Sequence, residues 1–413
     1  MKFRLQYHSS TKEQVVTLNG SKSISNRALI IRALCNEKFE IKNLSTAKDT
    51  DTLFTALSNA KDDSTLDVGA AGTSFRFLTA YLAIQEGTQI LTGSPRMKQR
   101  PIGVLVDSLR ELGAEIEYLE KEGFPPLKIH SYCAKPIKAI SLSANISSQF
   151  ISALMLIAPA LPNGLTLRLE GDIVSLPYLL MTKKLMTYFG AKVDFEEKTF
   201  SIQARSYKAR SFQVEGDWSA ASYYYSIVAF EKIGYQIKLK GLQEDSVQGD
   251  QAIVKIAETF GVETIYNPDG ISIKKVHNAI AHNFDFDFIL CPDLAQSVSV
   301  MMAGLGINGK LIGLQTLRIK ETNRILALQK ELDKVNVEIE DDRQVGIMVQ
   351  KGKAELFKTP LFETYEDHRM AMSLACLAVF GHIEIHHPDV VEKSYPKFWN
   401  DLSSIGFEIN AIS

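Results

Sequence analysis

The ten residues Leu109-Arg-Glu-Leu-Gly113-Ala-Glu-Ile-Glu-Tyr118 read as the end of an amphipathic helix, a glycine, and a short alternating strand. Glycine fits the position just past a helix, where the backbone turns left-handed. The pattern returns in Leu185-Met-Thr-Tyr-Phe-Gly190-Ala-Lys-Val-Asp194 and in Ile256-Ala-Glu-Thr-Phe-Gly261-Val-Glu-Thr-Ile265. A weaker copy, Gln329-Lys-Glu-Leu-Asp333-Lys-Val-Asn-Val337, puts Asp333 in the glycine's place, and the last is Leu402-Ser-Ser-Ile-Gly406-Phe-Glu-Ile409. The interval, roughly 70 to 77 residues, is too long for a solenoid repeat. It predicts a duplicated α/β unit, in six copies if the region before Asn59-Ala60 is a degenerate first one. Six such units most simply form two lobes of three.

Composition restricts the function classes. The 413 residues supply core for two or three domains, and 45% apolar with 23% charged residues is the balance of a globular protein in water. A net charge of −2 argues against a dedicated nucleic-acid binder. Cys35, Cys133, Cys291 and Cys376 lie far apart, without metal-like spacing, and suit reduced thiols. No secretory leader and no membrane-length apolar run is visible, so a cytoplasmic protein is expected.

Chemistry concentrates where strands turn into helices. Gln14 to Leu18 reads as a strand, and Gly20-Ser-Lys-Ser-Ile-Ser-Asn-Arg27 follows it. Gly20 allows a sharp turn, Ser21 or Ser23 can cap a helix, and Lys22 adds a charge beside the free N–H groups of that helix start. Ser23 and Arg27 share a helix face. The stretch suits a phosphate or carboxylate and is not a Walker A loop.

Further along, Asp49-Thr-Asp51 leads into a helix from Thr52 to Leu57, and Asp67-Val-Gly-Ala-Ala-Gly72-Thr-Ser-Phe-Arg76 makes a second such turn, with Thr73 as its cap. Arg96, Lys98 and Arg100 precede Pro101, which suits a first helical turn. Ser143-Ala-Asn-Ile-Ser147-Ser148-Gln149 offers more hydrogen-bonding groups than one cap needs, and Ser175-Leu-Pro-Tyr178 opens the next helix in the same style.

Val214-Glu-Gly-Asp217 reads as a crossing between lobes, and Pro292-Asp293 opens another helix. Lys320 and Arg324 fall one turn apart with Glu321 between them. Glu366-Asp367-His368-Arg369 gathers acid, imidazole and guanidinium at one turn, and Lys393-Ser-Tyr-Pro396 is the last such place. Cations come from both halves: Lys22, Arg27 and Arg100, then Lys320, Arg324, Arg369 and Lys393. If the lobes face each other, these helix starts can converge on a ligand with several negative charges, and Asp293 and Glu321 among them can serve as acid or base. A solvated, capped helix explains each piece taken alone.

Taken together, the motifs resemble the 5-enolpyruvylshikimate-3-phosphate synthase (3-phosphoshikimate 1-carboxyvinyltransferase) family of enolpyruvyl transferases. They are residues 20–27, Ala-Gly-Thr-Ser-Phe-Arg (71–76), Pro-Arg-Met-Lys-Gln-Arg-Pro-Ile-Gly (95–103), Ser-Ser-Gln-Phe (147–150), Val-Glu-Gly-Asp (214–217), Lys-Glu-Thr-Asn-Arg (320–324), Asp-His-Arg-Met-Ala-Met (367–372) and Lys-Ser-Tyr-Pro (393–396). They follow the family's order and span nearly the whole chain. The resemblance implies a two-lobed, inside-out barrel-like α/β (α+β) fold of six βαβαββ-type units, three per lobe. One lobe would hold about 1–20 with 218–413, the other about 21–217, with hinges near 20 and 217.

It also implies the reaction: transfer of the enolpyruvyl group of phosphoenolpyruvate to the 5-hydroxyl of shikimate 3-phosphate, releasing phosphate, in chorismate and aromatic amino acid biosynthesis. No cofactor, metal, nucleic acid or membrane is implied, and the chain would be a monomer. By resemblance, Lys22, Ser23, Arg27, Ser147, Ser148, Gln149, Ser175, Asp293 and Lys320 would bind shikimate 3-phosphate, with Tyr178 beside it. Lys22, Gly72, Arg100, Gln149, Arg324, Arg369 and Lys393 would bind phosphoenolpyruvate. Asp293 would be the base, and Lys22 or Glu321 the acid.

Three positions depart from the family pattern: Ala70 and Thr316 stand where Asn is usual, and Phe77 where Pro is usual. The family is the target of glyphosate, which takes the phosphoenolpyruvate site. The sister enzyme acting on UDP-N-acetylglucosamine usually carries a reactive Cys in the loop before Arg100-Pro101, and Gly93 to Arg100 has none. A non-catalytic phosphate-ligand binder on the same fold is the other alternative.

Overall fold

The computed structural model describes residues 1–10, 13–144, 147–279, 282–342 and 346–412. In chain order the elements are β1 (Lys2–Tyr7), β2 (Gln14–Thr17), α1 (Lys22–Leu34), β3 (Ile41–Lys42), α2 (Lys48–Asn59), β4 (Ser64–Asp67), α3 (Gly72–Leu82), β5 (Gln89–Thr92), α4 (Gly103–Leu112), β6 (Ile116–Tyr118) and β7 (Leu127–Ile129). Then come β8 (Ala139–Ser143), α5 (Ser148–Ile157), β9 (Leu165–Glu170), α6 (Leu176–Tyr188), β10 (Val193–Glu196), β11 (Thr199–Ile202), β12 (Phe212–Gln213), α7 (Trp218–Phe230), β13 (Gln236–Lys240), α8 (Ile253–Thr259), β14 (Val262–Asn267) and β15 (Gly270–Lys275). The chain finishes with β16 (Phe286–Asp287), α9 (Ala295–Leu305), β17 (Gly309–Ile312), α10 (Arg324–Asp333), β18 (Glu338–Asp342), β19 (Ile347–Lys351), β20 (Leu361–Phe362), α11 (His368–Ala375), β21 (Ile383–His386), α12 (Phe398–Ser404) and β22 (Phe407–Ile412).

Two compact units divide the chain: unit 1 is Met1–Asn19 with Glu215–Ser413, and unit 2 is Gly20–Val214. Among the described residues, five four-stranded sheets share one plan, and none closes into a barrel. Unit 2 holds the orders β4-β5-β7-β6 and β8-β9-β11-β10; unit 1 holds β2-β13-β15-β14, β16-β17-β19-β18 and β20-β21-β1-β22. In every one the first two strands are parallel and the rest antiparallel. A parallel pair needs a crossover, and a helix supplies it. The sixth sheet is the degenerate copy, the parallel pair β12 and β3 alone. The chain permutes two strands to build this. β2 precedes α1 but pairs with β13 of unit 1, and β12 precedes α7 but pairs with β3 of unit 2.

The left-handed residues stand where the repeat puts them. Gly113, Gly190, Gly261 and Gly406 have φ of 113°, 90°, 83° and 106°. A Cβ at Gly113 would lie 2.0 Å from the Cys133 carbonyl oxygen, so only glycine fits there. In the weaker copy the left-handed residue is Asn336, with φ 63°, not Asp333; Asp333 is still helical. Asn tolerates this region better than most side chains.

Each unit buries three helices almost all round. In unit 2 these are α1, α3 and α5, which pack on one another. In unit 1 they are α7, α9 and α11, with α9 against both others. A helix apolar on every side belongs inside. Their partners α4, α8 and α12 are buried on one side only. The polar turns at the starts of the inner helices are therefore fixed by a packed core.

Some local expectations are corrected. The helix expected over Thr52 to Leu57 runs over Lys48–Asn59. Ser21 occupies the cap position of α1 without a side-chain cap bond. Asp293 sits in a short 3-10 helix, Pro292–Leu294, ahead of α9. Lys320 and Arg324 do not share a helical turn: Asn323 caps α10 by accepting from the Leu326 N–H, and Lys320 is extended. No helix among the described residues is long and apolar enough to cross a membrane.

Candidate active site

In unit 2 the first turns of α1, α3 and α5 carry Lys22, Ser23, Gly72, Ser148 and Gln149, while Arg100 and Ser175 precede α4 and α6. Lys22 opens α1 and pairs with Asp49 at 3.2 Å. Arg27, one turn on, is 3% exposed. Its Nε donates to Thr182 Oγ1 at 2.7 Å, Nη1 to the Ser23 carbonyl at 2.9 Å, and Nη2 to Ser152 Oγ at 3.1 Å and the Tyr178 carbonyl at 3.4 Å. The Phe77 and Tyr178 rings flank it at 5.4 and 5.8 Å. Every one of these partners is neutral, and burial pulls the guanidinium down to about 10.

Gly72 begins α3. A Cβ on it would lie 2.4 Å from Arg100 Nη1, so the Arg100 side chain rests on the bare backbone. Arg76 ties this turn to the next loop, donating to the Gly72 carbonyl at 3.3 Å and the Pro101 carbonyl at 3.2 Å. Thr73 does not cap α3; its hydroxyl accepts from Gln149 Nε2 at 3.1 Å. Ser147 caps α5 by accepting from the Gln149 N–H, and Ser148 is the first helical residue. Asn145 and Ile146, in the same motif, lie outside the described residues. Ser175 precedes α6 with φ 59° and no cap bond. A left-handed Ser is uncommon and is held by its surroundings.

Unit 1 gathers the opposite kind of cluster around Arg324, which is 2% exposed. Its Nε donates to Asp367 Oδ2 at 2.7 Å, Nη1 to Asp293 Oδ1 at 2.9 Å, and Nη2 to Glu321 Oε2 at 3.0 Å. Burial disfavours its charge, but Asp367, Glu321 and Asp293 outweigh burial and raise its pKa. Asp293 also meets Arg369 Nη2 at 3.1 Å and Lys320 Nζ at 3.8 Å. Glu321 also accepts from Lys393 Nζ at 3.0 Å. Asp367 caps α11 through the Arg369 N–H. The six predicted residues of unit 1 are thus in one cluster of hydrogen bonds and ion pairs, and its two candidate acid–base carboxylates are both held by cations.

Several neighbours escaped the sequence. Thr182 and Ser152 lie 155 and 125 residues from Arg27, so no local pattern announces them. Asp367 stands in the Asp-His-Arg motif, and its role as the cap of α11 comes from the structure. Of the departures, Phe77 is 1% exposed and supplies the ring against Arg27, Ala70 is exposed, and the Thr316 hydroxyl is buried with no partner among the described residues.

Residues 8–62 and 57–402 match the family model for EPSP synthase (3-phosphoshikimate 1-carboxyvinyltransferase). A 3-phosphoshikimate 1-carboxyvinyltransferase of Bacteroides fragilis is 44% identical, over 98% of this chain and 99% of its own. The one from Sulfurovum sp. is 36% identical over 95% and 96%. Among solved structures, EPSP synthase from Acinetobacter baumannii superposes with a TM-score of 0.79 at 21% identity, covering 99% of this chain and 100% of that one. The enolpyruvyl transferase NikO from Streptomyces tendae gives 0.74 at 12%, covering 99% and 98%, and shares the fold. With its repeat plan, its paired-cation turns and relatives along its whole length, the chain belongs to the EPSP synthase (3-phosphoshikimate 1-carboxyvinyltransferase) family.

Proposed function

We propose that this chain transfers the enolpyruvyl group of phosphoenolpyruvate to the 5-hydroxyl of shikimate 3-phosphate, in aromatic amino acid biosynthesis. The observation that carries the reading is the pair Asp293 and Glu321, each held by cations, in a chain of this family. Shikimate 3-phosphate is assigned to Lys22, Ser23, Arg27, Ser147, Ser148, Gln149, Ser175, Asp293 and Lys320. Phosphoenolpyruvate is assigned to Lys22, Gly72, Arg100, Gln149, Arg324, Arg369 and Lys393. Arg27 supports its assignment: its hydrogen-bond partners among the described residues are all neutral, and such a buried cation gains most from an anion.

Asp293 takes the 5-hydroxyl proton as that oxygen attacks C2 of phosphoenolpyruvate. Lys22 or Glu321 gives a proton to the methylene carbon, and a tetrahedral ketal phosphate results. Its C–O bond to phosphate then breaks, a methyl proton leaves, and the enol ether double bond forms. Arginines placed in advance stabilise the departing phosphate. The reading includes a cytoplasmic monomer that needs no metal or cofactor, and glyphosate competing with phosphoenolpyruvate.

Phosphate release is the test, with both substrates together and each alone, no metal added. Release that requires both, with an enolpyruvyl ether as product, is expected. No release despite measurable binding of shikimate 3-phosphate would overturn the reading in favour of a non-catalytic binder. Absence of inhibition at millimolar glyphosate would remove the competition claim alone.

A further inference from the structure

Asp250 is a carboxylate of unit 1 that no assignment above uses. It lies in a short 3-10 helix, Gly249–Ala252, just ahead of α8, and is 4% exposed. A buried carboxylate is costly unless cations or several donors meet it. Among the described residues Asp250 forms no ion pair, and its one side-chain hydrogen bond is the very short one that the Ser219 hydroxyl donates to Oδ2. Packing alone does not call for so poorly compensated a charge.

Its connection to the site runs through that hydroxyl. Ser219, in the first turn of α7, accepts at Oγ from Arg369 Nη2 at 3.2 Å. A hydroxyl has one hydrogen and two lone pairs. With the hydrogen committed to Asp250, the oxygen can offer Arg369 only lone pairs. The same guanidinium rests on Asp293, with Nη2 3.1 Å from Oδ2 and Nη1 donating to the Asp293 carbonyl at 3.2 Å. Arg369 is therefore gripped on two sides, and one side is set by Asp250.

We propose that Asp250 is a positioning residue that aims the Arg369 guanidinium through the Ser219 hydroxyl. The proposal rests on the reading that Arg369 binds phosphoenolpyruvate. The charged and titratable groups facing Asp250 are Asp293, Arg369, Asp217 and the buried Cys291 thiol. Burial, and then the charge of Asp293, push the Asp250 carboxyl up to about 6, against the pull of Arg369 and Ser219. Once protonated, Asp250 can donate to Ser219 instead of accepting, and the hydroxyl no longer holds a fixed direction. The grip on Arg369 then weakens as the pH falls through that value.

The test is steady-state kinetics of the full chain, each substrate varied in turn, on both sides of the Asp250 titration. Asp250→Asn is expected to raise KM for phosphoenolpyruvate about tenfold, with kcat and KM for shikimate 3-phosphate changed less than about twofold. Ser219→Ala should give the same rise, the double variant should add nothing further, and Ser219→Thr should restore wild-type behaviour. Phosphoenolpyruvate carries its own phosphate ionisation near 6, so the pH readout is the ratio of wild type to Asp250→Asn, which is expected to approach one at low pH. An unchanged or lower KM for phosphoenolpyruvate, or additive variants, would overturn the proposal. If Asp250→Asn fails to fold, Ser219→Ala against Ser219→Thr decides it. Wild-type chain inactive with both substrates would instead sink the reading beneath it.

Discussion

Arg27 and Arg324 are both buried arginines in early helical turns of the same repeat plan, and their surroundings are opposite. Arg27 has two hydroxyls, two carbonyls and two rings, and its charge is only tolerated. Arg324 has three carboxylates, and its charge is demanded. A cation without a counter-ion is prepared for a ligand's anion. A cation among acids has its counter-ions already, and what it does for the site is hold those acids in place. In the proposed reading, unit 2 supplies the cation kept for binding and unit 1 the acids kept for chemistry.

The largest effect comes from Asp293, where an amide keeps the shape of the side chain and removes the carboxylate that Lys320, Arg324 and Arg369 hold. Asp293→Asn should keep binding of both substrates and lose turnover about a thousandfold. Full activity in that variant would break the assignment of the base. Next, the two arginines should fail differently. Arg324→Gln leaves three carboxylates facing one another and should cost about 3–5 kcal/mol of stability in chemical denaturation. Arg27→Gln should cost only about 1 kcal/mol of stability, because its partners are neutral. It should nevertheless weaken shikimate 3-phosphate about a hundredfold, by titration calorimetry. Equal stability losses would erase the contrast.

A pH experiment sharpens it further. The Asp250 carboxyl is raised to about 6 from 3.8 by burial and by Asp293. The folded chain thus binds more protons than the unfolded chain between those values, and this group's destabilisation is complete above the higher one. Asp250→Asn should raise the melting temperature above pH 6, and the gain should vanish as the pH falls toward 4. Loss of phosphoenolpyruvate affinity alongside a gain in stability would separate a functional carboxylate from a structural one. The smallest effect concerns Phe77, whose ring lies against Arg27. Phe77→Leu should weaken shikimate 3-phosphate about threefold while leaving phosphoenolpyruvate unchanged.

What could be read from the chain is what is encoded locally. A left-handed residue after a helix, and polar residues at a helix start, are short-range features, so the repeat and the turns that carry Lys22, Gly72, Ser147 and Arg369 were legible. Boundaries failed where two caps compete. Asn323 starts α10 later than the charge pattern of Lys320 to Arg324 suggests, and Ala71 rather than Thr73 stands before α3. Asn336 replaced Asp333 because the left-handed position falls after one more turn of chain. Asp250, Thr182 and Ser152 could not be read at all. Their roles exist only once segments far apart in sequence are packed together.

The permuted strands also set an order of assembly. Lys2 pairs with Ile412, and β1 completes the sheet of β20, β21 and β22. A ribosome delivers β1 and β2 first, yet their partners, β13, β21 and β22, are among the later segments made. Unit 2 has all its own strands as soon as β12 emerges. The first strands synthesised must therefore wait, unpaired, while the middle of the chain folds. Their pairing closes loops that span most of the chain, so these contacts are among the least local in the fold.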